Sequence, residues 1–213
     1  MKCRKLPNSS TRTAIFEQAG IVAVFGGIGV EPARRTAEAV IALYHPAQLL
    51  SVGFAGALRP HLRVGDIFFP AAVIDARDGS RIVIEGGEGT LVTFMAVAGA
   101  EQKANLAQAY DAQAVDMEAA AVAAAARAHG IRFTATKVIS DGLDFEMPET
   151  AQFIDAHGYF QTAQFAVYVA LRPWLWRRVA LLARNTRKAG SVLDSYLKNS
   201  SRLLKDVVEA KTT

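Results

Sequence analysis

The stretch Phe133-Thr134-Ala135-Thr136-Lys137-Val138-Ile139-Ser140-Asp141-Gly142 decides the fold. Phe133–Ile139 reads as a buried strand, and Ser140-Asp141-Gly142 follow at its carboxyl end. On its N-terminal side, Ala112 to His129 is alanine-rich and of high helix propensity, with Gly130 as its stop. Further back, Leu91–Val97 reads as a buried strand, and Ile67–Ile74 and Arg81–Glu85 as strands joined by Asp78-Gly79-Ser80. Leu49–Val52 is a short apolar strand running into Gly53-Phe54-Ala55-Gly56. Glu31 to Tyr44 is a helix, because Pro32 suits a first turn and Ala33, Ala37, Val40, Ile41 and Tyr44 recur at helical spacing. It is preceded by the loop Gly26-Gly27-Ile28-Gly29 and by two strands, Thr13–Phe16 and Ile21–Phe25, around Gln18-Ala19-Gly20. After Asp141, Thr150 to Leu171 is helical in pattern. Strands alternating with helices in this order predict one α/β domain with a parallel or mixed sheet.

Composition narrows the function classes. A chain of 213 residues, 51% hydrophobic and 21% charged, is long enough for one full core. The single cysteine, Cys3, excludes an internal disulfide or a cysteine-built zinc site. The four histidines, His45, His61, His129 and His157, have no metal-ligand spacing. No apolar run has the length of a membrane span, and no secretory leader is recognisable after Lys2, Arg4 and Lys5, so a soluble, cytoplasmic protein is expected. The net charge of +4 is unevenly placed. Residues 1–171 carry 14 basic and 17 acidic side chains, and residues 172–213 carry 10 and 3. A mildly acidic body argues against nucleic acid as a partner.

Three segments can carry chemistry. In open α/β sheets, ligands gather beyond the carboxyl ends of strands. Gly26-Gly27-Ile28-Gly29 would let a ligand approach backbone N–H groups, with Gly27 central, and reads equally well as a tight strand-to-helix turn. Val115-Asp116-Met117-Glu118-Ala119 places two carboxylates at the start of the alanine helix. Burial there demands a partner or ligand, although both acids would also favour a helix N-terminus. Ser140-Asp141 delivers an acid to the sheet edge, where burial would suit proton donation and where an Asx-type turn is the alternative. Lys137, inside its strand, is expected to pair rather than to catalyse, and Phe94, Phe145 and Phe160 to pack in the core.

These segments together resemble the purine nucleoside phosphorylase and nucleosidase superfamily. The matching stretches are Gly53-Phe54-Ala55-Gly56-Ala57-Leu58, Val64-Gly65-Asp66-Ile67, Val115-Asp116-Met117-Glu118-Ala119 and Ile139-Ser140-Asp141, in family order and spacing. The layout is similar to the methylthioadenosine/adenosylhomocysteine nucleosidase branch. The resemblance implies a single-domain phosphorylase/hydrolase-like α/β fold, with a central mixed sheet flanked by helices and a C-terminal helical extension. It further implies cleavage of the bond between a purine and ribose, in a homo-oligomer. Asp141 would protonate N7 of the leaving base and Ser140 would orient it. Glu118 would hold the ribose hydroxyls, Met117 would pack on the ribose, and Asp116 stands where the family has Glu. Ala55, Gly56 and Gly27 would border the substrate. No cofactor or metal is implied; phosphate is admissible as co-substrate.

The sequence departs from the pattern at three places. Ser51 and Phe54 occupy positions where related phosphorylases have an Arg and a Ser or Thr on phosphate, and a phenyl ring cannot donate to phosphate. No candidate exists for the first family strand, whose end carries a carboxylate that activates water. We therefore expect Met1 to be an internal methionine of a longer product, or the protein to be a degenerate member that binds without catalysing. Residues 172–213 look like an addition, a basic amphipathic tail opening at Pro173-Trp174-Leu175-Trp176-Arg177-Arg178. Arg177, Arg184 and Lys188 share one helical stripe, and Leu193, Leu197 and Leu204 suggest a second helix. Trp beside clustered Arg suits peripheral contact with an anionic membrane through 172–190, or docking on the core with a solvated charged face. The Gly-Phe-Ala-Gly motif and this tail also resemble the hopanoid-associated members of the superfamily, which implies a nucleoside attached to a polycyclic lipid, with Phe54 at an apolar entrance.

Overall fold

The computed structural model describes residues 14–18, 20–146, 150–155 and 158–210, with side chains as far as 200 except at 151. Two strands, β1 (Ile15–Gln18) and β2 (Ile21–Val24), pair as an antiparallel hairpin. Helix α1 (Val30–Tyr44) follows, its buried stripe being Val30, Ala33, Ala37 and Ile41. The central sheet has seven strands: β3 (Gln48–Ala57), β4 (Ile67–Phe68), β5 (Ala72–Asp75), β6 (Arg81–Val83), β7 (Thr90–Thr93), β8 (Ala114–Asp116) and β9 (Arg132–Asp141). Their order across the sheet is β4-β9-β3-β8-β7-β5-β6. The pairs β3–β9, β5–β7 and β7–β8 are parallel; β3–β8, β4–β9 and β5–β6 are antiparallel, so the sheet is mixed.

Helices α2 (Ala100–Tyr110) and α3 (Ala119–Ala128) flank the sheet. Six of the ten residues of α3 are buried alanines. Such a smooth helix lets backbones approach closely, and Ala125 and Ala126 pack with Ala37, Ile41 and Leu49. Beyond β9, a short 3₁₀ turn (Ala151–Phe153) and helix α4 (Thr162–Ala170) lead to the long helix α5 (Trp176–Ala210). Helix α5 returns across the sheet edge: Tyr196 lies 3.2 Å from Thr136 Oγ1 of β9, its ring is 5.9 Å from Phe69, and Ala189 is fully buried.

Several expectations are corrected. The helix expected from Ala112 begins only at Ala119, because Ala114–Asp116 form β8, buried between β7 and β3; sheet pairing overrides alanine's helix propensity. Strand β3 continues to Ala57, well past Val52, because its small residues stay paired with β9 through a register shift at Ala55/Gly56. Ile67–Ile74 is two strands on opposite sides of the sheet, divided at Pro70, which has no N–H for a ladder. Thr150–Leu171 is helical only in its second half, since Ile154 and Phe160 form a bridge around Gly158. The tail is one continuous helix from Trp176, not two. Helix α2 carried no readable stripe, because its buried face holds Lys103 beside Leu106 and Ala107.

Met1 to Thr13 and His157 lie outside the described residues. Among the described strands, β8 covers β3 only at Gly56 and Ala57, and none lies against the same edge over residues 48–55. No helix of the described residues is long and apolar enough to cross a membrane. Close packing of α3 is directly testable: Ala126→Leu should destabilise the fold by about 1–3 kcal/mol in urea unfolding, as overpacking does, whereas an unchanged midpoint would show slack around α3.

Candidate active site

The parallel pairing of β3 with β9 builds the site. Its register sets Lys137 opposite Gly53 and, after the bulge, Asp141 opposite Gly56. Strand β8 runs antiparallel to β3, with Val115 paired to Gly56 and Ala114 to Ala57. Asp116 is the last residue of β8, and Glu118 follows it as the N-cap of α3.

Two buried lysines organise the acids; Lys103 and Lys137 are each 1% exposed. Lys137 Nζ lies 2.8 Å from Asp116 Oδ2 and donates to Ser51 Oγ at 3.1 Å. Asp116 also accepts from Thr93 Oγ1 at 2.6 Å and from the Ala119 N–H at 2.9 Å. Its carboxylate is fully used in joining β7, β8, β9 and the start of α3. Asp116 ends β8 and also accepts the N–H of Ala119 at the start of α3, so both carboxylates lie at that helix's N-terminal end as expected.

Glu118 occupies the N-cap position of α3. Its Oε1 accepts from the Gly29 N–H at 2.9 Å, and its Oε2 from the Met117 N–H at 3.3 Å. Gly29 has φ 101°, a conformation glycine adopts freely, which turns its N–H toward the carboxylate. Burial pushes the Glu118 carboxyl above its ordinary range, and the negative charge of Asp116 pushes the same way. Lys137 and the two N–H donors pull it back down.

Asp141 is held on both oxygens. Ser140 Oγ donates to Oδ1 at 2.6 Å and also lies 3.3 Å from the Ala55 carbonyl oxygen. Lys103 Nζ pairs with Oδ2 and donates to the Gly142 carbonyl oxygen at 2.6 Å. Gly56 leaves room for this arrangement: a Cβ there would lie 2.9 Å from Asp141 Oδ2 and 3.1 Å from Lys103 Cε. No buried side-chain nitrogen or oxygen of the described residues lacks a hydrogen-bond partner.

The residues singled out from sequence fall into two groups: Ser140 and Asp141 lie with Ala55 and Gly56, and Asp116, Met117 and Glu118 lie with Lys137 and Gly29. In the Gly-rich loop it is Gly29, not Gly27, whose N–H reaches the acids. Phe54 alternates to the face of β3 opposite Gly53 and Ala55, where its ring approaches Gly190 of α5. Phe160 packs with Phe153 and Phe165, and Phe94 against the core cluster that holds Val92 and Leu106. His129 ends α3 and meets Glu38 at 2.9 Å. No group of three metal-ligating side chains occurs among the described residues. Lys103 and Thr93 escaped notice: a lysine in an alanine-rich helix reads as solvated, and only the fold turns it inward. A surface concavity of about 610 Å³, lined by residues including His61, Phe69, Gly87 and Gln113, contains none of the acids.

Residues 5–93 and 89–167 match the model of the phosphorylase superfamily, and the chain belongs to that family. The fold is shared with the 5'-methylthioadenosine/S-adenosylhomocysteine nucleosidase of Helicobacter pylori, at 17% identity, 92% of this chain, 88% of that one and a TM-score of 0.62. The futalosine hydrolase of Helicobacter pylori aligns at 18% identity over 84% of this chain and 79% of that one, with a TM-score of 0.56. The S-adenosylhomocysteine nucleosidase of Streptococcus pyogenes, at 19% identity, covers 84% and 78% with a TM-score of 0.55. No curated protein matches by sequence.

The raised Glu118 carboxyl has a signed consequence. The folded protein holds that proton more tightly than the unfolded chain, whose value is near 4.5. This group therefore favours folding most at low pH, and its contribution declines as pH rises through the raised value. Urea midpoints measured in parallel should show Glu118→Gln gaining on wild type with rising pH; a difference that does not move with pH would contradict the assignment.

Proposed function

We propose that this protein cleaves the N-glycosidic bond of a purine nucleoside, with water or phosphate as the attacking group and no further cofactor. The observation that carries the reading is a pair of acids held in different ways: Glu118 by two backbone N–H groups, and Asp141 by a hydroxyl and an ammonium beside Gly56 of β3. Glu118, fixed by Gly29 and Met117 N–H groups, would accept hydrogen bonds from the ribose hydroxyls. Its negative charge would stabilise the positive charge that develops on the sugar as the bond breaks. Asp141, oriented by Ser140, would deliver a proton to N7, so that the base leaves neutral rather than as an anion. Met117, Ala55, Gly56 and the Gly27 loop would border the nucleoside, which small residues let approach the backbone. Family membership and the fold shared with the nucleosidases support the reaction class.

Base release from adenosine and its 5'-substituted relatives, assayed with and without phosphate, tests this. Release without phosphate assigns water, and release only with phosphate assigns phosphorolysis. No release from any of them contradicts the reading. Asp141→Asn should lower turnover by ~10²-fold or more, as loss of a general acid does; an unchanged rate would remove Asp141 from the mechanism.

For the division of the chain we propose an α/β body over 1–171 and a basic helical tail over 172–213. The start of the tail is proposed to touch anionic membranes peripherally, and homo-oligomerisation is proposed for the body. Val167, Leu171, Trp174 and Trp176 are exposed around Arg177 and Arg178, which combines apolar anchors with positive charge. Co-sedimentation with phosphatidylserine-containing vesicles should weaken by roughly thirtyfold when Arg177 and Arg178 are both replaced by Gln, at about 1 kcal/mol per charge. Equal binding to neutral vesicles, or none, would contradict membrane contact.

A further inference from the structure

We infer that Lys103 is the positioning residue that supplies Asp141 with its proton. The inference rests on the reading above and names a group that the reading leaves out. An aspartate facing a buried ammonium on one oxygen and a hydroxyl donor on the other is held as a carboxylate. A carboxylate cannot protonate a leaving base, so a proton must reach it when the nucleoside reacts. The group placed to give it is the Lys103 ammonium, whose Nζ is paired with Asp141 Oδ2 and otherwise bonded to the Gly142 carbonyl oxygen.

The two buried lysines are placed differently. The other buried lysine, Lys137, faces Asp116, which is saturated by Thr93 and the Ala119 N–H and spans three strands. Lys103 instead reaches from α2 across the sheet end to the one carboxylate assigned to the base. Glycine at position 56 is what admits it, since a Cβ would crowd both Asp141 Oδ2 and Lys103 Cε.

The step balances. The electron pair of the glycosidic bond leaves with the base as the Lys103 ammonium passes a proton to the Asp141 carboxylate and Asp141 passes one to N7 of the base. Lys103 is left as a neutral amine, and Asp141 as the carboxylate it began as. Solvent returns the proton to Lys103 after the base departs.

The test compares two leaving groups on wild type, Lys103→Met and Lys103→Gln. Adenosine needs a proton on its departing base; 4-nitrophenyl β-D-ribofuranoside releases a stable phenolate and needs none. With Lys103 replaced, kcat on adenosine should fall by ~10²-fold with KM little changed, while the nitrophenyl riboside rate stays within about threefold of wild type. The retained nitrophenyl rate also shows that the variant is folded. Loss of both rates in both variants would make Lys103 merely structural and overturn the inference, as would retention of both. Wild-type protein inert on both compounds would overturn the nucleosidase reading itself, and with it this role for Lys103.

Discussion

Two lysine–aspartate pairs buried at the junction of β3, β8 and β9 are the constraint on which the rest of the structure depends. Burying a charge is costly unless it is paired and further hydrogen-bonded, and here each carboxylate has both. The Lys137–Asp116 pair fastens the last residue of β8 to the middle of β9 and aligns the start of α3 through Thr93 and the Ala119 and Ala120 N–H groups. Glu118 can then leave the same turn toward Gly29. The Lys103–Asp141 pair does the corresponding work at the end of β9, holding Asp141 on the side where Ser140 and Ala55 lie.

The two pairs have different consequences. Asp116 gives its contacts to the fold, meeting Lys137, Thr93 and the Ala119 N–H. Asp141 faces one ammonium, Lys103, and one hydroxyl donor, Ser140. The small residues of β3 serve both pairs, because Gly53 faces the Lys137 head group and Gly56 faces Lys103 and Asp141.

Much of this was legible in the sequence, and the parts that were not share a cause. The strand carrying Ser140 and Asp141, the helix ending at Tyr44 and the hairpin at Gly20 are local patterns and could be read directly. The four motifs shared with the family located Asp116, Glu118 and Asp141 before any coordinates. Strand β8 was hidden in an alanine run, because Ala114 and Val115 become a strand only through β7 and β3. Helix α2 was hidden because its buried face includes a lysine whose partner lies 38 residues away in the chain. Gly29 could not be told from Gly27 without the backbone turn that aims its N–H at Glu118. In each case the deciding interaction is long-range, and local propensity carries no trace of it.

The central claim is that Glu118 and Asp141 grip one nucleoside from its two ends. A crystal structure with a non-cleavable adenosine analogue tests it most directly. The account predicts the ribose hydroxyls within hydrogen-bond distance of Glu118 and the base nitrogen within ~3.2 Å of an Asp141 oxygen, over Gly56. An analogue seated away from both acids, for example in the concavity lined by His61 and Gln113, would contradict it.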